Sequence, residues 1–206
     1  MENPTLSIIA GPNGSGKTTI TEQFLEHEWL GNATYVNPDI IAQEKFGGWD
    51  NKESFVKAAN YAQEIRENCI KNKQSLVFET VFSTDEKIKF VKKALEAGFF
   101  IRFFFIATEG PEINASRIAS RIMKGGHNVP LDKIISRYYK SIVNCARVIN
   151  LVDRVYVYDN SVDGRSPKLI FRVKNNKGNQ VLKKYEILPN WIKPLINCAK
   201  TLKQSK

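Results

Sequence analysis

The residues Gly11-Pro12-Asn13-Gly14-Ser15-Gly16-Lys17-Thr18 fit the pattern G-x-x-x-x-G-K-[ST] without a gap, and the apolar run Leu6-Ser7-Ile8-Ile9-Ala10 leads straight into them. A polyphosphate needs a concave row of backbone N–H groups at close range. Glycines clear side chains from that row and permit φ > 0, and a helix starting near Lys17 adds its positive dipole end. Lys17 then reaches the β- and γ-phosphates, and Thr18, followed by Thr19, supplies a hydroxyl for Mg²⁺. The pattern lies between an apolar strand and the helix-forming TTITEQFLEHEWL, the context a phosphate loop requires, so the chain is expected to bind ATP or GTP. The dinucleotide fingerprint G-x-G-x-x-G is absent, and a lysine has no role in it.

Such a loop belongs at the C-terminal edge of a parallel sheet, and the rest of the chain supplies one. A helix is expected over about 17–29 with Ile20, Phe24 and Leu25 inward, then a short strand at Thr34-Tyr35-Val36 ending in Asn37-Pro38-Asp39. Apolar residues at helical spacing mark a long amphipathic helix over 51–73. Ser75-Leu76-Val77-Phe78-Glu79 reads as a buried strand closed by an acid, and Thr84-Asp85 as the cap of a helix that stops at Gly98. Residues 99–107 are almost wholly apolar, as a parallel strand covered on both faces should be, so Phe99, Phe100, Phe103, Phe104 and Phe105 are expected in the core and not on a stacking surface. Helices are expected over about 111–124 and 131–151, and a fifth strand over 154–158. The fold class is therefore α/β: a P-loop NTPase with a doubly wound, five-stranded parallel sheet and a helical lid over about 111–150. Residues 165–206 differ in kind, reading as two strands (168–173 and 180–187) joined at Asn175–Asn179 and a final helix opened by Trp191. Residues 1–164 are read as the kinase domain, with this hairpin and helix appended to it.

Charge sharpens that division. The chain carries a net charge of +10, and residues 165–206 hold 11 lysines and arginines against the single acid Glu186. A tail of this kind attracts nucleic acid, an acidic partner protein or an anionic substrate, or is simply a solvated basic surface. Cys69, Cys145 and Cys198 are odd in number and in no C-x-x-C pairing, which argues against a disulfide framework and a zinc site and for a reducing, cytoplasmic setting. The acidic start MENPTLSIIAG does not read as a signal peptide, and no apolar run approaches about 18 residues, so no membrane association is expected.

The other charged residues decide what happens to the nucleotide. Asp39 lies just past the second strand, where an acid can accept the proton of a substrate hydroxyl attacking the γ-phosphate; its alternative role is to cap the helix containing Ile40 and Ile41. Glu79 closes a strand beside the loop, where a carboxylate holds Mg²⁺ through water or orients the substrate, and Asp159 at the end of the fifth strand competes for that role. Arg117 and Arg121 lie four apart on one helix face, just before Gly125-Gly126, and Arg137 is on the returning helix. A lid that lowers these cations onto the phosphates would stabilise the charge that gathers there in transfer. His127 is read as a lid-turn hydrogen-bonding residue.

These pieces together, the loop GPNGSGKTT, N-P-D at 37–39, F-E-T at 78–80, and R-I-M-K-G-G-H-N-V-P with the later I-x-x-R-Y-Y-x-S, resemble the zeta toxin family of P-loop kinases over about residues 5–161. The resemblance implies Lys17 and Thr18 on phosphate and Mg²⁺, Asp39 as base, Glu79 and Thr80 beside substrate or metal, and Arg121 and Arg137 as the phosphate-sensing arginines. It implies UDP-N-acetylglucosamine as acceptor and an antitoxin protein as partner. The expectation is thus an ATP- and Mg²⁺-dependent kinase for a hydroxyl of a small anionic metabolite. Its rivals are a nucleoside or nucleic-acid-end kinase that uses the basic tail, and a non-catalytic nucleotide-dependent switch or partner-binding ATPase.

Overall fold

The apolar run before the loop becomes β1 (Thr5–Ala10), buried from Leu6 onward, at the centre of the sheet. The computed structural model describes residues 3–25, 32–48, 52–123, 129–176 and 179–200. In it β1 lies between two parallel neighbours, β3 (Leu76–Thr80) and β4 (Phe100–Ala107), with β2 (Thr34–Val36) outside β3 and β5 (Arg154–Asp159) outside β4. These are the five parallel strands expected of the fold. The sheet does not end there: β6 (Lys168–Asn176) and β7 (Asn179–Lys184) continue it antiparallel, giving seven strands in the order β2-β3-β1-β4-β5-β6-β7.

The link expected at Asn175–Asn179 is shorter than anticipated, because the strands stay paired up to Asn176 opposite Asn179. The reason is local. The Asn175 amide donates to the carbonyls of Ile149 and Val152 (3.0 and 2.6 Å), which anchors that residue inside the sheet instead of leaving it in a turn. Seven α-helices are described: α1 (Lys17–Leu25), α2 (Pro38–Lys45), α3 (Lys52–Lys71), α4 (Asp85–Glu96), α5 (Pro111–Ile122), α6 (Leu131–Val148) and α7 (Lys193–Lys200), the last preceded by a 3-10 turn at Asn190–Ile192. Thr84 occupies the cap position of α4, but its side chain makes no capping hydrogen bond, contrary to expectation.

Strand residues alternate between two unequal faces. Leu6, Ile8, Phe78, Phe103, Phe105, Val155, Val157 and Phe171 join residues of α2, α3, α4, α6 and α7 in one large core. Trp191, Ile192, Leu195 and Ile196 belong to it, with the Trp191 ring 6.4 Å from that of Phe105, so the basic C-terminal segment is packed into the same core. The opposite face is small. Ile9, Val77, Phe104 and Ile106 pack with Ile20 of α1. Phe100 was expected in the core but is only half-buried, because it starts its strand on this thinly covered face; its neighbours there are Arg102 and Arg154.

Candidate functional site

The phosphate loop is held from both sides by amides. The Asn114 side chain, in the first turn of α5, donates to Asn13 O (2.7 Å), and the Asn160 side chain, just past β5, donates to Ser15 O (2.9 Å). The two glycines between them are the ones the packing demands. Gly14 and Gly16 have φ of 76° and 86°, and a Cβ on Gly14 would lie 2.7 Å from Asn114 O while one on Gly16 would collide with the Asn160 amide. The Thr108 hydroxyl contacts Gly110 O (3.0 Å) and the Asn114 side-chain oxygen, and Tyr138 of α6 donates to Thr108 O (2.6 Å). A continuous chain of hydrogen bonds thus runs from α6 through α5 to the loop. Inside the loop, Asn13 Oδ1 and Ser15 Oγ are buried with no partner among the described residues, as groups facing a polyphosphate would be.

Across the loop lies the carboxylate side. The register places Glu79 beside Ile9 and Thr80 beside Ala10, and the Gly11 N–H donates to Thr80 O (3.2 Å), so the acid ending β3 abuts the start of the loop. Glu79 Oε1 accepts from Tyr35 OH (2.7 Å) and from the Asn37 amide (3.5 Å). Asn37 also caps α2: its side-chain oxygen accepts from the Asp39 N–H (2.9 Å). The capping role considered for Asp39 therefore belongs to Asn37, and Asp39 stands exposed in the first turn of α2 with its carboxylate not used as the cap. Burial and the Glu79 charge push the Tyr35 phenol well up, so it stays a proton donor to that acid.

Lys17 connects the two sides. Its ammonium donates to Pro12 O (2.9 Å), and desolvation brings its pKa down to about 8 against the opposing pull of Glu79 and Asp39, while Arg121 pushes the same way as burial. Charges on three elements, α2, β3 and α5, therefore act on one amine. Thr18 and Thr19 are exposed at the start of α1. Arg137 is half-buried on α6 beside Tyr138. Arg117 is engaged with Asp163, Nη2 at 2.5 Å and Nε at 2.7 Å, while its Nη1 is buried with no partner among the described residues. Asp159 is closed into an Asx turn, its Oδ1 accepting from both the N–H and the hydroxyl of Ser161 (N–H at 2.9 Å), while Glu79 accepts through Oε1 from Tyr35 and Asn37. Gly125, Gly126 and His127 lie outside the described residues.

A family model, zeta toxin, matches residues 1–166. The chain belongs to the zeta toxin family. With that goes its class, that of a P-loop phosphotransferase on an α/β fold. The zeta-family chain is 27% identical over 138 residues to an uncharacterized protein of Haemophilus influenzae, covering 67% of this chain and 94% of that protein. Among solved structures it is similar to one from the PezAT chromosomal toxin-antitoxin system of Streptococcus pneumoniae (TM-score 0.60, 20% identity, 82% of this chain and 71% of that one). It is also similar to the AvrRxo1-ORF1:-ORF2 complex with ATP (TM-score 0.63, 17% identity, 84% and 59%). At such identities the likeness is one of fold. No helix among the described residues is long and apolar enough to cross a membrane.

Of the groups that build this zeta-family site, Thr108 and Asn114 gave no signal in the sequence, since a threonine after a strand and an asparagine in the first turn of a helix are common, whereas Tyr138 lay inside the motif I-x-x-R-Y-Y-x-S with no role assigned to it. Asn37 and Asn160 stood next to recognised acids, and a capping pattern before Pro38 was the clue available for the first of them.

Proposed function

We propose that the protein transfers the γ-phosphate of ATP, with Mg²⁺, to a hydroxyl of a small anionic metabolite, with UDP-N-acetylglucosamine as leading acceptor. The observation that carries this is the convergence on Lys17: a loop amine under the charges of Asp39, Glu79 and Arg121, on α2, β3 and α5, is the arrangement that in-line transfer needs. Asp39 takes the acceptor hydroxyl's proton. Glu79 and Thr80 bind the acceptor, with Glu79 held by Tyr35 through Oε1. Thr18 and Glu79 would hold Mg²⁺, which when bound would neutralise charge on the transferring group. Arg121 and Arg137 meet that charge from α5 and α6, and Arg117 offers to the same anions its Nη1, which has no partner among the described residues. The orphaned polar atoms of the loop support a polyphosphate ligand.

An antitoxin-type protein partner is part of the proposal, supported by the structural likeness to a protein of a toxin-antitoxin system; so is a cytoplasmic setting. Mass spectrometry of a metabolite extract incubated with protein, ATP and Mg²⁺ tests the central claim: a UDP-N-acetylhexosamine gaining one phosphate is expected, and a phosphorylated oligonucleotide end with the sugar nucleotide inert would overturn the metabolite-kinase reading.

A further inference from the structure

The thinly covered face of the sheet carries its own chemistry over β4 to β7. Register lines its outward residues into rows. One row runs Arg102, Arg154, Lys174, Val181 and the next Phe104, Tyr156, Arg172, Lys183, each strand adding one residue. A third places Tyr158 beside Leu169, with Tyr185 close by, its N–H donating to Ile170 O (2.8 Å); burial first, then the Tyr156 and Tyr185 phenols, pushes the Tyr158 phenol up to about 12. The rings and cations are matched. The guanidinium groups of Arg102 and Arg154 lie 4.9 and 5.2 Å from the Phe100 centroid, the Lys183 ammonium lies 5.0 Å from that of Tyr185, and Tyr156 stacks on Phe104 at 4.9 Å. No described residue of β4–β7 on this face is an acid. The one described helix on this face, α1, packs on β1 and β3, leaving Arg172, Lys183 and Tyr185 exposed.

We propose that this face of β4–β7 binds single-stranded nucleic acid, with bases on the tyrosines and phosphates on Arg172, Lys174 and Lys183. Strands about 4.8 Å apart set a row of cations beside a row in which rings on β4 and β5 give way to cations on β6 and β7, which suits unpaired bases with a charged backbone; a sheet face is a known platform for that purpose. An amphipathic protein helix would find only Leu169 and Val181 as aliphatic surface here, and an acidic protein would match the charge while leaving the rings unused. The face lies on the opposite half of the strand order from Asp39 and Glu79, so it is a site separate from the acceptor site and rests on the fold, not on the kinase reading.

The test is fluorescence anisotropy with labelled oligothymidylate and oligouridylate of about ten nucleotides, with a polyglutamate peptide as comparison, across a salt series. Binding that weakens steeply with salt is expected. Arg172→Glu with Lys183→Glu should weaken it by roughly tenfold or more, and Tyr185→Ala by roughly tenfold. Lys89→Glu with Lys92→Glu, exposed on α4 behind the covered face, should leave it unchanged, and all of these variants should keep the wild-type melting temperature and basal ATP turnover. Polyglutamate binding as tightly as the oligonucleotides would make this a surface for acidic protein. Wild-type affinity in either the charge-reversed or the Tyr185 variant would equally overturn the proposal.

Discussion

The two halves of the sheet's active edge are built differently. On the phosphate half, the loop is fixed by neutral amides, Asn114 and Asn160, backed by Thr108 and Tyr138. On the acceptor half, two carboxylates stand at the ends of β3 and α2, one of them braced by Tyr35 and Asn37. Apart from the Lys17 ammonium on Pro12 O, the loop is positioned by uncharged hydrogen bonds, and the charges stand on the other half. That division has a physical reason: a cation that pinned the loop would already occupy the phosphate's place, whereas an amide satisfies a backbone carbonyl without changing the field the ligand meets.

Lys17 belongs to both halves, and its removal is the strongest way to break the comparison. Lys17→Ala should abolish measurable ATP binding in calorimetry with the fold intact, since the side chain's one described bond is to a carbonyl of its own loop. Unaltered affinity would remove the nucleotide site from the loop. On the acceptor half alone, Asp39→Asn should keep ATP affinity and cut transfer by about 10²-fold or more, the scale of a lost general base. A drop in affinity with turnover preserved at saturation would make Asp39 a ligand of metal or nucleotide. Arg121→Ala and Arg137→Ala should lower kcat more than they raise the Kd for ATP, because the charge they meet grows in the transition state.

What could be read in advance follows the same line. The loop motif and the five parallel strands were legible, because glycine pattern and apolar runs are local signals, and Glu79 and Asp39 lie where the chain order put them, near the end of β3 and just past β2. The amide scaffold was not. Asn114 and Asn160 are 46 residues apart in the chain and meet the loop only through the crossover topology, which no local pattern encodes. The open face was misjudged for a related reason: an apolar run such as Phe99–Ala107 signals burial but not how much of each face a helix will cover, and Phe100 falls beyond the cover. The hairpin was found, yet its union with β5 depends on a partner strand distant in sequence.

The phosphate half has its own test. Asn114→Ala leaves Asn13 O without its donor in a buried setting, a loss of about 1–3 kcal/mol that should appear as roughly tenfold weaker ATP binding, with kcat at saturation near wild type. Asn160→Ala should be milder, because that residue is only half-buried and water can replace it. A large fall in kcat with unaltered ATP affinity would show that the amides serve the chemistry, and the two halves would no longer be distinct.

The smallest effect is on pH, and it couples the halves. With Lys17 titrating near 8 in the free protein, a bound polyphosphate must raise that value, so binding takes up a proton above pH 8. ATP affinity should be flat in this respect below about pH 8 and fall as pH rises through it, by at most about tenfold per pH unit. Folding stability moves the other way over the same window. The folded value lies below the ordinary 10.5, so the unfolded chain binds more protons between the two, and this group's contribution to stability improves as pH rises from about 8 toward 10.5. Affinity and stability should therefore diverge between those limits, measured by calorimetry and thermal melts on the same samples. Because Asp39 and Glu79 both support the lysine's charge, Asp39→Asn and Glu79→Gln should each move the onset of the affinity loss to lower pH, with Glu79→Gln the larger. An onset that stays in place in both variants would mean that the carboxylates do not act on Lys17, and the acceptor half would be electrostatically separate from the loop.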